Sequence, residues 1–102
     1  MTTYVTATIV AQNTWTSNVF FEDNFNFSVS GTFANSAIVT VQRSEDSGVT
    51  WLDVDTFTAN GQFVGYEPVP NTFYRAGCKT GEYGATSSIV LSFSGPWRAN
   101  FS

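Results

Sequence analysis

The sequence predicts an all-β protein, a two-sheet antiparallel β-sandwich of immunoglobulin-like or jelly-roll type with about eight short strands. Three observations carry this expectation. Apolar and polar residues alternate with a period of two along most of the chain, and nowhere do apolar residues recur at helical spacing through three turns. Aromatic residues make up 17% of the chain, and together with its many Thr and Val residues they suit pleated, half-buried surfaces. Clusters of Gly, Asn, Asp, Ser and Pro punctuate the apolar runs at short intervals. A closed small barrel is the alternative architecture. At 102 residues, with no internal repeat, the chain is one domain with a modest stability margin.

The first strand spans Thr3 to Val10. After the polar turn Gln12-Asn13-Thr14 the second runs from Trp15 to Phe21, and Glu22-Asp23-Asn24 forms a loop. Phe25 to Phe33 is the clearest strand: Phe25, Phe27, Val29 and Phe33 share one face, while Asn26, Ser28, Ser30 and Thr32 share the other. Gly31 interrupts the apolar row and marks a bulge or a close backbone approach. Ala34-Asn35-Ser36 turns the chain into Ile38 to Arg43, which reads as a hairpin. Ser44 to Gly48 is a turn cluster before the strand from Thr50 to Phe57. Asn60-Gly61 signals a type I′ hairpin that returns Phe63 to Tyr66 against the preceding strand.

Two prolines in the segment from Glu67 to Asn71 rule out a central strand and make it a rigid connection between sheets. Phe73 to Cys78 and Ser88 to Phe93 form a last pair around the loop from Lys79 to Ala85. Gly95-Pro96 then closes a sandwich domain at 1–95 and leaves 96–102 as a C-terminal tail. Alternation assigns Phe25, Phe27, Val29, Val39, Val41, Phe73, Ile89 and Leu91 to the core.

Charge and composition narrow the function. Only 12% of residues are charged, the net charge is −4, and the four basic residues Arg43, Arg75, Lys79 and Arg98 are scattered, so no footprint exists for a phosphate backbone and nucleic acid is not an expected partner. No apolar stretch approaches the ~20 residues that span a bilayer, and the N-terminus lacks a signal-peptide pattern. Cys78, the single cysteine, lies in an apolar stretch and reads as a buried structural thiol; no Cys/His cluster offers a metal site. With no histidine in the chain, a Ser or Cys nucleophile lacks its usual base, and the expectation is a protein that is not an enzyme and uses no cofactor.

The most specific local feature is Ser44-Glu45-Asp46-Ser47-Gly48-Val49-Thr50-Trp51, which matches the Asp-box pattern S-x-D-x-G-x-T-W at every defined position. Its residues Ser44, Asp46, Gly48, Thr50 and Trp51 have a folding role to play: Asp accepts backbone hydrogen bonds, Gly takes positive φ and Trp covers the turn. Calcium or sugar binding is the competing reading of this turn. Asp53 and Asp55 are expected on one strand face with Trp51 and Phe57, where two parallel carboxylates about 7 Å apart protect an edge better than they serve a glycosidase. Asn26-Phe27-Ser28 and Asn100-Phe101-Ser102 match glycosylation sequons, which carry little weight without a signal peptide.

From Phe25 to Phe93, the runs from Ile38 to Ser44, Asp46 to Trp51 and Leu52 to Ala59, then Val64-Gly65, Glu67-Pro68 and Tyr74 to Gly81, resemble small β-sandwich virion proteins of tailed bacteriophages. The resemblance implies a virion structural role, most simply a capsid decoration protein that stabilises the head surface. It implies the phage major capsid protein, other virion proteins or further copies of the chain as partners. It brings no functional residue set with it. A carbohydrate-binding module or a tail or head-fibre adhesin is the alternative, and aromatics gathered on one flat face would favour it. Aromatics at the chain ends, Tyr4, Trp97 and Phe101, are the candidate docking residues, because ends cost entropy to order unless something holds them.

Overall fold

The computed structural model describes residues 2–20, 24–67, 69, 72–96 and 100–101. Among these residues there are ten strands and no helix: β1 (Thr2–Ile9), β2 (Thr14–Trp15), β3 (Val19–Phe20), β4 (Asn24–Thr32), β5 (Val39–Ser44), β6 (Leu52–Phe57), β7 (Gly61–Tyr66), β8 (Phe73–Cys78), β9 (Ser88–Pro96) and β10 (Asn100–Phe101). They form two antiparallel sheets packed face to face. The first has the order β1-β9-β4-β7; the second has the order β10-β3-β8-β5-β6, with β2 also paired to β8.

β2 and β3 are one interrupted strand along β8. Trp15 lies opposite Gly77 and Val19 opposite Tyr74, so three residues on one side meet two on the other. Thr16 occupies the bulge, donating its amide to the Ala76 carbonyl at 2.8 Å and accepting the Ala76 amide on its hydroxyl at 3.1 Å. Its side chain thus stands in for a missing ladder bond. Counting β2 and β3 together and numbering the eight long segments along the chain, the sheets read 1-8-3-6 and 2-7-4-5. That is the double Greek key of a jelly roll rather than the immunoglobulin order.

This topology corrects three local expectations. β4 and β5, β6 and β7, and β8 and β9 are not hydrogen-bonded hairpins; in each case the chain crosses to the other sheet. Asn60-Gly61 does not form a type I′ turn: neither residue has positive φ, and Gly61 already belongs to β7 opposite Val29. β5 and β6, on either side of the Ser44 to Gly48 turn cluster, do pair within one sheet. The connection after β7 does pass between sheets, as its prolines imply. At the C-terminus Pro96 does not stop the last strand. β9 continues to pair with β1 through Pro96 opposite Thr2, and Asn100–Phe101 return as β10 beside β3.

The core lies between the sheets. Val5, Phe93, Phe27 and Phe63 form one row across the first sheet, and Ala7, Leu91, Val29 and Gly61 the next. The second sheet contributes Val19, Val39, Val41, Tyr74, Ala76 and Cys78. Phe73 is only half-buried, which corrects its assignment to the core: Tyr74 points inward, and Phe73 shares the outer face with Arg75. Gly31 marks a close backbone approach as its position in the apolar row implies. Its φ is 128°, and a Cβ there would stand 2.2 Å from the Ser88 carbonyl oxygen.

Candidate functional site

The turn between β5 and β6 is closed by its own side chains. Ser44 donates its hydroxyl to Asp46 Oδ1 at 2.7 Å and accepts the Gly48 amide at 2.9 Å, while the Thr50 amide reaches Asp46 Oδ1 at 2.8 Å. Ser47 and Gly48 take positive φ, and Trp51 donates Nε1–H to the Gly48 carbonyl at 3.0 Å. Hydrogen bonds from the Thr50 amide and the Ser44 hydroxyl hold the Asp46 carboxyl down at about 2. Asp46 is thus engaged by its own turn. Asp46→Ala is expected to lower the melting temperature by several degrees at neutral pH without changing the circular dichroism. Because its pKa is depressed on folding, the gap from wild type closes as pH falls from about 4 to about 2, which a thermal-melt series in acid checks.

Beyond this turn, the outer face of the second sheet carries a network anchored on Arg75. Its guanidinium lies 4.2 Å from the Trp15 ring centroid and 4.4 Å from that of Trp51, held between the two indoles. Its Nε–H donates to Gln42 Oε1 at 2.9 Å, and Gln42 Nε2 donates in turn to Asp53 Oδ1 at 2.9 Å. Lys79 pairs with the other Asp53 oxygen. The hydrogen bonds from Lys79 and Gln42 depress the Asp53 carboxyl, and Asp53 raises Lys79. The expectation that Asp53 and Asp55 share a face is corrected here. β6 slips one residue at Val54, so that Val41 faces Asp55 while Gln42 faces Asp53. Asp53 joins the Arg75 network, and Asp55 accepts only the Thr56 amide.

A second charged constellation is buried. Glu67, 1% exposed, receives both Arg43 Nε–H at 2.6 Å and Arg43 Nη2–H at 2.8 Å, the Tyr74 hydroxyl at 2.7 Å and the Val69 amide at 2.8 Å. Burial penalises the ionised carboxyl, but these four donors outweigh it and keep the Glu67 pKa below the usual range. Burial, with Glu67 second, pushes the Tyr74 hydroxyl up. Burial likewise pushes up the Cys78 thiol, which is fully enclosed. Sequence reasoning did not pair Glu67 with Arg43. An isolated Glu before Pro-Val-Pro gave no sign that it would be buried.

The outer face of the first sheet has a different character. Its cross-strand rows are Thr6, Ser92, Ser28 and Gln62; Thr8, Val90 and Ser30; and Ser94, Asn26 and Val64. Asn24 and Tyr66 extend the third row along β4 and β7. No described position of this face carries a charge. The described charged side chains lie on the second sheet, in its loops, or buried at Glu67. The residues are the polar partners of the core alternation, visible in sequence as the Asn/Ser positions between Phe25, Phe27 and Val29. That their neighbours on three other strands are also uncharged follows only from the pairing.

Of the candidate docking residues, Tyr4 lies in β1 opposite Ser94, and Phe101 lies in β10 opposite Val19. Trp97 falls outside the described residues. The two described positions belong to different sheets. A cavity of about 310 Å³ at one end of the sandwich is lined by Phe33, Ser36, Ala37, Ile38 and Thr58, none of them a catalytic acid, base or metal ligand. Comparisons with protein-family models, curated protein sequences and solved structures found no match to this chain.

Proposed function

We propose that the chain is a non-enzymatic structural protein of a tailed-bacteriophage virion, a capsid decoration protein that lies on the protein lattice of the head through the outer face of the β1-β9-β4-β7 sheet. The observation that carries this reading is the absence of charge from that face in a chain of net charge −4. Docking an uncharged surface of hydroxyl, amide and apolar groups strips water from no ion, whereas burying an unpaired charge costs several kcal/mol. Jelly rolls also recur among viral capsid proteins, which supports the reading by analogy of fold.

The carbohydrate-binding reading has one observation in its favour, the placement of Trp15 and Trp51 on a single sheet face. Arg75 weakens it. The guanidinium occupies one face of each indole, the surface a sugar ring would stack on. The virion reading is tested by mixing the purified chain with phage heads stripped of it and measuring co-sedimentation. Ser30→Lys and Ser30→Glu, both at an exposed position of the face, are each expected to weaken binding at least about tenfold with unchanged melting temperature. Wild-type binding by either variant would remove this face from the contact.

A further inference from the structure

The two sheets end in edge strands built on opposite principles. β6, at the edge of the second sheet, carries Asp53 and Asp55 and a bulge at Val54. Charges and bulges are what keep an exposed strand from pairing with another chain. β7, at the edge of the first sheet, has neither. Its six residues, Gly61 to Tyr66, include no charge and no proline, and they hold one unbroken register with β4. Val64 is 75% exposed and Tyr66 62%, so apolar surface borders this open edge.

We infer that β7 is the pairing edge for a second copy of this chain, with two β7 strands running antiparallel about a two-fold axis and joining two four-stranded sheets into one of eight. An antiparallel strand is its own complement under two-fold symmetry, and the contact closes at two copies. Charge selects the same occupant. Acidic copies repel each other across most approaches, yet among the described residues the carboxylate that follows β7, Glu67, is buried and neutralised by Arg43. A basic partner would find no free carboxylate there among the described residues. The exposed apolar pair Val64 and Tyr66 is duplicated across the axis, so each copy covers the other's. β1, the opposite edge of the same sheet, is also uncharged, and the outward side chains described on it are Thr6 and Thr8. A six-residue strand is only about 20 Å long, which places the contact at the low end of specific interfaces. This pairing stands independently of the virion reading, because it uses the β7 edge and leaves the β1, β9 and β4 positions of the face, Ser30 among them, uncovered.

Sedimentation equilibrium of the full chain, from low micromolar to near-millimolar concentration, tests it. The mass of the wild type is expected to rise from one chain to two and stop there. Val64→Lys, a charge at an exposed edge position, is expected to weaken the dimer at least about tenfold while keeping the wild-type melting temperature. Thr6→Lys, on the same face but on β1 at the far edge of the sheet, should dimerise as wild type does. Hydrogen exchange should show slower β7 amides in the wild-type dimer than in the Val64→Lys monomer. A wild type that stays monomeric overturns the inference, as does a Val64→Lys chain that dimerises normally. Equal disruption by Thr6→Lys would assign the contact to the sheet face or to β1 and overturn the inference. Growth beyond two copies would assign it to β7 on β1.

Discussion

Phe27→Ala is expected to remove about 3–5 kcal/mol of folding stability, the cost of cutting a fully buried ring back to a methyl group. Phe27 is wholly buried at the meeting point of both sheets, with its ring centroid 4.7 Å from Phe93, 5.5 Å from Phe57 and 5.7 Å from Phe63. Three separate strands lean on it. Surrounding rings cannot collapse into the space without disturbing the 6.0 Å stack of Phe57 on Phe63. A domain of this size is stable by only about 5–15 kcal/mol, so the melting temperature should fall on the order of 20 °C. Phe27→Leu keeps most of the volume and should fall much less. Chemical denaturation of the three proteins checks the order. An alanine variant that melts as wild type does would mean that Phe27 does not seat at the centre of the core.

The alternation that singled out Phe27 shows how far sequence reasoning reaches in this fold. Along β4, burial follows Phe25, Phe27 and Val29 as the period of two requires, and the opposite face is polar. The same rule left β8 ambiguous. Phe73 and Tyr74 are adjacent, and choosing the more apolar ring put Arg75 on the core side. The structure takes the other parity, which buries Tyr74, Ala76 and Cys78 and sends Arg75 outward between two tryptophans. At β6 the parity changes mid-strand, because one extra residue at Val54 separates Asp53 from Asp55. A bulge of this kind leaves no signature in the alternation when every residue around it is exposed.

Topology was less legible than strand placement, and for a physical reason. A turn sequence reports the local backbone, not which sheet receives the next strand. Thr58-Ala59-Asn60 carries the chain from β6 to β7, yet β6 pairs with β5 and β7 with β4. The jelly-roll order rests on long-range pairs such as β1 with β9, for which no neighbouring residue gives a cue. The candidate interaction surfaces inherit the same limit. Each uncharged residue of the first sheet could be read singly as solvent-facing; the continuous face and the open β7 edge exist only once the four strands are side by side.

Glu67→Ala should cost as much as the loss of Phe27, for an electrostatic reason. The carboxylate ties Arg43 on β5 to Tyr74 on β8 and to the Val69 amide, clasping one end of the sandwich just beyond β7. Removing the buried carboxylate leaves the Tyr74 hydroxyl without its acceptor and Arg43 with Glu45 as its remaining described partner, at a cost of about 3–5 kcal/mol. Glu67→Gln keeps the shape but presents an amide NH₂ where a donor already stands, and it too should be destabilised. The pH dependence separates the charge from the packing. The folded-state pKa of Glu67 is depressed, so its contribution is complete above the ordinary glutamate value of about 4.3 and is lost as pH falls through the folded value. Wild type should therefore lose stability steeply in acid, while Glu67→Gln, starting lower, should show a shallower slope that retains only the share of Asp46 and Asp53, both also depressed. Tyr74 has the opposite sign. Its raised pKa contributes stability below the ordinary tyrosine value of about 10, and that share is lost as pH rises through the folded-state value. Thermal melts of wild type and Glu67→Gln from acid to alkaline pH measure both limbs. Parallel acid limbs in the two proteins would show that Glu67 is not the ionised centre of the clasp.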